Sequence, residues 1–291
     1  VKTIDTLIDD IYGLFTNGHV FHAENIDEFG RLLTTTLKNK LGRDQVPRLR
    51  MSNLGTPCRR KLWYSIKHPR LADPLPPWVK IKFLFGDILE TLLLFLAREA
   101  GHKVTGEQGE LEINGVKGSR DAIIDGVLVD TKSASSYSFS KFKDHLERED
   151  DSFGYIDQIN CYLAASQNDP LLEEKDVSAF FVIDKEKGKL CLDKCAKTDI
   201  DYNQRVADLR AMLDQEVPPP REYYDAKDGE SGNRKLSVVC SYCDFKHTCW
   251  PGLRTFFYAK GPVFLTTVKK QPKVPEVNRQ GDILNVQGGN G

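Results

Sequence analysis

The chain has 291 residues, 40% of them hydrophobic and 29% charged, with a formal net charge of −1. That length can bury one substantial core, or one core with a small appendage. No apolar run reaches the roughly 18 residues that span a bilayer, and Val1 to Asp10 lacks the basic start of a signal peptide, so a cytoplasmic protein with no membrane contact is expected. With so little net charge, any nucleic-acid contact has to come from a local patch.

In chain order, residues 1–45 read as an N-terminal helical segment, with apolar spacings of three and four at Ile4, Leu7, Ile8, Ile11 and Leu14. A basic stretch follows: eight Lys or Arg residues (Arg43, Arg48, Arg50, Arg59, Arg60, Lys61, Lys67 and Arg70) stand against one acid, Asp44. Within it Ser52 is a candidate cap, and Pro57 suits the first turn of a helix. A proline-rich connector leads to a long helix over 79–100, stopped at Gly101. The period then changes to that of strands over 110–113, 115–124 and 126–132. Helices are expected over 139–149 and 155–166, with an exposed acidic loop, Glu147 to Asp151, between them. A strand over 177–183, a turn at Lys187-Gly188, a strand over 189–192 and a helix over 199–213 complete the pattern. Residues 261–291, polar and rich in Gly, Asn and Gln towards the end, are expected to be a disordered tail. There is no internal repeat. Helices before, between and after a few strands indicate an α/β domain in which helices flank a central mixed sheet.

The sharpest local signal is Asp125-Gly126 between two alternating runs, a two-residue hairpin turn. Such a turn sets Ile124 opposite Val127, Ala122 opposite Val129 and Asp121 opposite Asp130, with Lys132 on the face of Asp130. Ala122, Ile124, Val127 and Val129 make the core side. Two opposed carboxylates repel unless something positive lies between them, and oxygen ligands suit Mg²⁺ or Mn²⁺. Lys132 could stabilise charge building on a phosphate. The alternative is that Asp121 and Asp130 are merely solvated on an exposed sheet face.

Gly118-Ser119-Arg120-Asp121 followed by Asp130-Thr131-Lys132-Ser133 resembles the two-part active-site motif of RecB-like PD-(D/E)XK nucleases. Gln158 and Tyr162 resemble that family's QxxxY motif, four residues apart on one helix face. The resemblance implies a restriction-endonuclease-like core over 46–260. It makes Asp121, Asp130, Lys132, Gln158 and Tyr162 catalytic, with the metal held by Asp121, Asp130, the Thr131 carbonyl and an acid from the preceding helix. In Phe85-Gly86-Asp87-Ile88-Leu89-Glu90 that acid is Glu90, where the family more often has histidine. Asp87 competes for the role.

Seven cysteines in a cytoplasmic chain do not suggest disulfides. Cys161, Cys191 and Cys195 read as core or surface residues. Cys240, Cys243 and Cys249 cluster and need a fourth metal ligand, either His247, giving a zinc knuckle, or the distant Cys58. One cysteine before the nuclease motifs and three after resembles the iron–sulfur members of that family, the AddB type and the CRISPR-associated exonucleases. This implies a 4Fe-4S cluster on Cys58, Cys240, Cys243 and Cys249 that joins the N- and C-terminal parts, with zinc as the alternative. Arg59, Arg60 and Lys61 beside Cys58 would then hold a DNA backbone, while Trp63 and Tyr64 read as core rather than base-stacking groups. The implied function is a Mg²⁺- or Mn²⁺-dependent exonuclease on single-stranded DNA ends, 5′ to 3′, in recombination, repair or processing. The alternatives are a structure-specific endonuclease and a non-catalytic DNA-binding scaffold. No P-loop is present, so a helicase or recombination partner would be a separate chain.

Overall fold

The computed structural model describes residues 2–16, 18–41, 46–279 and 281–285. Arg43 and Asp44 of the basic stretch, and the end of the expected tail from 286, lie outside the described residues. The chain forms an α/β protein of two compact units, Val1–Pro57 with Pro77–Ala211, and Cys58–Pro76 with Met212–Gly291. This division is drawn differently from the expected segments 1–45, 46–260 and 261–291. The N-terminal helices belong to the core of the first unit, and the segment carrying Cys58 belongs with the C-terminal third.

In chain order, α1 is Leu7–Thr16, α2 Ala23–Leu41, α3 Arg59–Lys67 and α4 Pro77–Glu99. The strands β1 (Val104–Thr105), β2 (Glu110–Ile113), β3 (Val116–Ser119), β4 (Ala122–Ile124) and β5 (Val127–Ala134) follow. Then come α5 (Ser136–Lys143), α6 (Tyr155–Ala165), β6 (Val177–Asp184), β7 (Leu190–Ala196) and α7 (Tyr202–Asp214).

The first unit is built on a five-stranded mixed sheet in the order β1-β4-β5-β6-β7, in which only β5 and β6 run parallel. Ala122, Ile124, Val127 and Val129 form one cluster with Leu7 and Ile11 of α1 and Leu93, Leu94 and Ala97 of α4. This is the face that the hairpin reading assigned to the core. The opposite face is covered too: Phe180 is buried and meets Phe142 of α5 edge-on, 5.3 Å between ring centroids. Burial on both faces explains why β5 and β6 read as nearly continuous apolar runs.

Three local expectations change. The single strand expected over 115–124 is two, because Arg120 is buried and its guanidinium binds the Gly106 carbonyl (3.0 Å) and Asp169 (2.5 Å). That anchor ends β3, which pairs with β2 in a separate two-stranded sheet. Ser52 caps no α-helix. The N-cap of α3 is Cys58, whose Sγ accepts the Lys61 N–H. The acidic loop is not all solvated, since Asp151 accepts from the backbone N–H groups of Gly154 and Ile156, both at 2.8 Å, and so anchors the start of α6.

The second unit contains α3, β8 (Ala226–Lys227), β9 (Arg234–Lys235), α8 (Val238–Ser241), α9 (Lys246–Cys249), β10 (Arg254–Tyr258), β11 (Gly261–Thr267), β12 (Glu276–Val277) and β13 (Ile283–Asn285). Its antiparallel sheet runs β13-β12-β10-β11-β9-β8. Residues 261–285, expected to be disordered, therefore carry three strands. Phe264 and Leu265 are buried in β11, as is Phe256 in the paired β10, and they supply enough apolar surface to order a stretch whose composition is otherwise polar. Trp63, Tyr64 and Phe245 form a separate buried cluster. Among the described residues, no helix is long and apolar enough to cross a membrane.

Candidate active site

The hairpin turns at Asp125 and Gly126, with φ of +50° and +79°, and its register is Ala122↔Val129, Ile123↔Leu128 and Ile124↔Val127. Asp121 immediately precedes β4, and Asp130 lies within β5. Asp130 is only 3% exposed, so the pair does not stand on a solvated face. The Asp121 Oδ2 atom accepts from the Thr131 backbone N–H (2.7 Å) and hydroxyl (2.9 Å). Asp130 Oδ2 is buried, without a hydrogen bond, and ion-paired with Lys132 Nζ. That ammonium lies 4.6 Å from the centre of the Tyr155 ring, a cation–π contact.

Glu90, on α4, belongs electrostatically to this group. Burial, then the charges of Asp121 and Asp130, push its carboxyl well up, to about 8. Burial and Asp130 likewise push Asp121 up to about 6. Burial disfavours the Lys132 ammonium, but Asp130 and Asp121 outweigh it and hold its pKa above the usual lysine range. Glu90 Oε1 accepts from Gln108 Nε2 at 2.6 Å. Asp87, its competitor, pairs instead with Lys40 at 2.7 Å. Three carboxylates and one lysine thus face one another at the end of a hairpin and the middle of a long helix.

The helix α6 brings the other two motif residues. Gln158 Nε2 donates to the Tyr162 hydroxyl at 3.1 Å. Burial raises the Tyr162 pKa, as do the charges of Asp130 and Asp121. Tyr155 and Gln108 were not singled out in the sequence. Tyr155 could have been, since it stands three residues before Gln158 and shares its helix face. Gln108 lies in a loop at φ +51° and left no pattern to read.

The position of α6 depends on a close backbone approach. Gly154, its N-cap, has φ +77°, and a Cβ there would lie 1.8 Å from the Gly55 carbonyl oxygen. Gly154→Ala is therefore expected to destabilise the protein by about 3 kcal/mol or more, from left-handed strain plus a clash with backbone that cannot rotate away. Urea denaturation measures this, and a loss below about 1 kcal/mol would show that the contact yields cheaply.

The donor chemistry fits a hard divalent cation. Glu90, Asp121 and Asp130 offer only oxygen, and the raising of Glu90 by Asp121 and of Asp121 by Asp130 is the repulsion that such a cation relieves. Their oxygens do not converge on one point. Among the described residues, the set of three or more His, Cys, Asp or Glu ligand atoms lying within 4.8 Å of one another is His19, His22 and Glu99. Thr131 holds Asp121, Lys132 holds Asp130 and Gln108 holds Glu90, so an ion would replace these partners.

In the second unit, the four expected cluster ligands are near enough to influence one another's charge, though among the described residues no three of their sulfurs lie within 4.8 Å of one another. Burial raises the Cys58 thiol, as do the charges of Cys240 and Cys249, and Cys58 in turn raises Cys243. All seven cysteines are free thiols. Cys240 stands at the end of α8, where its N–H binds the Ser237 hydroxyl (3.3 Å), and the Cys243 N–H binds the Cys240 carbonyl (3.1 Å). Cys249 closes α9, and its carbonyl accepts from Arg221. The competing ligand His247 directs Nδ1 at Asp73, 2.7 Å away. Arg59 is exposed. Arg60 is committed elsewhere, donating to the Pro219 carbonyl (2.6 Å) and to the Tyr64 hydroxyl (3.3 Å). Lys61 is half-buried, and its charge lowers Cys243.

The fold and this geometry define an α/β protein with a mixed five-stranded sheet packed between helices, accompanied by antiparallel sheets. No protein-family profile matches the chain, and no curated protein is similar to it in sequence. Among solved structures it is similar to SSO0001, at 18% identity and a TM-score of 0.40 over 77% of this chain and 96% of that one.

Proposed function

We propose that this protein is a metal-dependent DNA nuclease with a restriction-endonuclease-like core, as the resemblance to RecB-like PD-(D/E)XK nucleases implies. The observation that carries this reading is the group formed by Glu90, Asp121, Asp130 and Lys132. Buried like charges of this kind are costly to a fold and useful to a reaction. Mg²⁺ or Mn²⁺, held by the three carboxylates and the Thr131 carbonyl, supplies Lewis acidity towards a phosphoryl oxygen and acidifies water in contact with it. Lys132, kept charged by Asp130 and steadied by Tyr155, stabilises the negative charge that develops on the phosphate. Gln158 and Tyr162 orient groups around the carboxylates from α6.

The same resemblance makes the substrate a single-stranded DNA end degraded 5′ to 3′, with any helicase or recombination partner on a separate chain. It also gives the second unit a 4Fe-4S cluster on Cys58, Cys240, Cys243 and Cys249. A single zinc, with Zn–S near 2.3 Å, needs its ligand atoms about 3.8 Å apart. Among the described residues the four sulfurs are not gathered to that spacing, and metal analysis decides between zinc and the cluster. Arg59 is the exposed cation beside it.

End-labelled single- and double-stranded DNA with Mg²⁺ or Mn²⁺ tests the function. Stepwise shortening of single strands from the 5′ end is expected. Internal cuts would make the protein an endonuclease, and intact DNA would make it a binding scaffold. Lys132→Ala should lower turnover by about 100-fold or more while changing DNA affinity by less than about threefold, since one lysine is a small part of backbone binding. Single-turnover rates and filter binding separate the two, and equal losses in both would reassign Lys132 to ordinary phosphate contact.

A further inference from the structure

We propose that His19, His22 and Glu99 form a second metal site, for a zinc-class transition-metal ion, separate in chemistry from the oxygen-only carboxylate group. The site joins the loop between α1 and α2 to the last turn of α4. Its three ligand atoms all lie within 4.8 Å of one another, and no other set of His, Cys, Asp or Glu among the described residues does so. Two imidazoles and a carboxylate are a familiar zinc donor set that leaves a fourth position for water. Imidazole selects zinc and its transition-metal neighbours over Mg²⁺.

The local bonding shows why a cation suits the place. Glu99 is 4% exposed. Its Oε1 is met by His19 Nε2 at 2.5 Å, His22 Nδ1 at 2.9 Å and the His22 backbone N–H at 3.0 Å. The other oxygen accepts from Asn25 Nδ2 at 2.7 Å. A carboxylate oxygen has two lone pairs, so three partners crowd it, and two of them are ring nitrogens that bind metals when deprotonated. One divalent ion between those nitrogens and Oε1 replaces two strained contacts and leaves the backbone N–H and Asn25 to fix the carboxylate. Burial alone would raise the Glu99 pKa, but the hydrogen bonds from His19, Asn25 and His22 bring it down to about 2.

A tetrahedral ion with bonds of 2.0–2.1 Å needs ligand atoms about 3.4 Å apart. The contacts to Oε1 must therefore lengthen by less than about 1 Å, the larger change falling on His19, whose side chain is 25% exposed, and the smaller on His22, 58% exposed. Glu99 is nine residues beyond Glu90 on α4, about 13 Å along the helix, so the ion would clamp the far end of the helix that carries an active-site ligand.

The test is zinc binding by the full chain, stripped of loose metal and titrated with Zn²⁺ alone. His19→Gln/His22→Gln should bind one equivalent fewer than wild type, whereas His145→Gln, which alters a histidine outside both metal groups, should bind as many as wild type. Zinc at the cysteines cancels in this difference. Zn²⁺ should also raise the melting temperature of wild type more than that of the double variant. If the double variant does not fold, His22→Gln, which removes the most exposed ligand, should weaken one zinc equivalent by at least tenfold. Equal stoichiometry and equal affinities in wild type and variant would overturn the site and leave a hydrogen-bonded anchor at the start of α2. This outcome is independent of whether the protein cleaves DNA.

Discussion

Replacing Asp130 with alanine is expected to abolish DNA cleavage, lowering turnover by about 1000-fold or more, while the protein stays folded. In the proposed nuclease both the metal and Lys132 would take their position from Asp130, and losses of that size follow when a ligand and its electrostatic partner fail together. The effect on stability is a contest of two terms. Lys132, mostly buried, loses its nearest anion, which costs free energy because a buried cation needs a partner. Asp121 loses the like-charge neighbour that helps to raise its pKa, and it remains close enough to compensate the lysine. The net change should stay within about 2 kcal/mol. Asp130→Asn, which keeps volume and shape, should be equally inactive and closer still in stability. Cleavage assays at saturating Mn²⁺, with urea denaturation alongside, decide the matter. Residual activity above a few per cent of wild type would remove Asp130 from the site, and a loss of folding would make it structural.

The parts of this site that were legible in the sequence are those fixed by local backbone chemistry. Asp125-Gly126 dictates a turn with two positive φ values, and once the turn is known, period-two alternation gives the register and the core face without further information. The spacing of Gln158 and Tyr162 needs only the helical repeat. What could not be read is what depends on contacts distant in sequence. Arg120 looked like one more strand residue, yet its bonds to Gly106 and Asp169 break the strand. The motif glycine Gly118 is required because a Cβ there would lie 2.7 Å from the Cβ of Met51, 67 positions away in the sequence. Composition misled at residues 261–285, where two adjacent apolar residues in β11 outweigh many polar ones.

The expected segment boundaries differ from the division into two units for a related reason. The chain leaves the first unit after Pro57 and returns at Pro77, an excursion of one short helix with no linker-like composition at its start. The proline-rich stretch at 74–77 marks the return, but it reads equally well as a spacer between two helices. Only the pairing of Trp63 and Tyr64 with Phe245 reveals where that helix belongs, and such a pairing has no local signature.

This excursion makes Cys58 the second decisive residue. Cys58→Ala is expected to strip the protein of about four irons and of its brown colour, and to unfold the second unit at a much lower temperature. Loss of the cluster opens a loop of roughly 180 residues, whose closure is worth about 5 kcal/mol in the chain-entropy picture. Alanine removes a second thing as well, the N-cap of α3, since Cys58 Sγ accepts the Lys61 N–H; a lost cap costs about 1 kcal/mol. Cys58→Ser separates the two, because a serine oxygen caps a helix well but binds iron poorly. If the cluster dominates, serine and alanine variants should lose iron equally and differ in stability only by about the worth of the cap. The visible absorption of anaerobically purified protein, metal analysis and thermal melts followed in the second unit through Trp63 and Trp250 give the answer. A colourless protein holding one zinc, indifferent to Cys58→Ser but emptied by His247→Ala, would sink the cluster. It would also require His247 to be oriented for the metal by the Asp73 carboxylate that it already contacts. Cleavage at the carboxylate group would stand in either case, since Glu90, Asp121, Asp130 and Lys132 belong to the first unit.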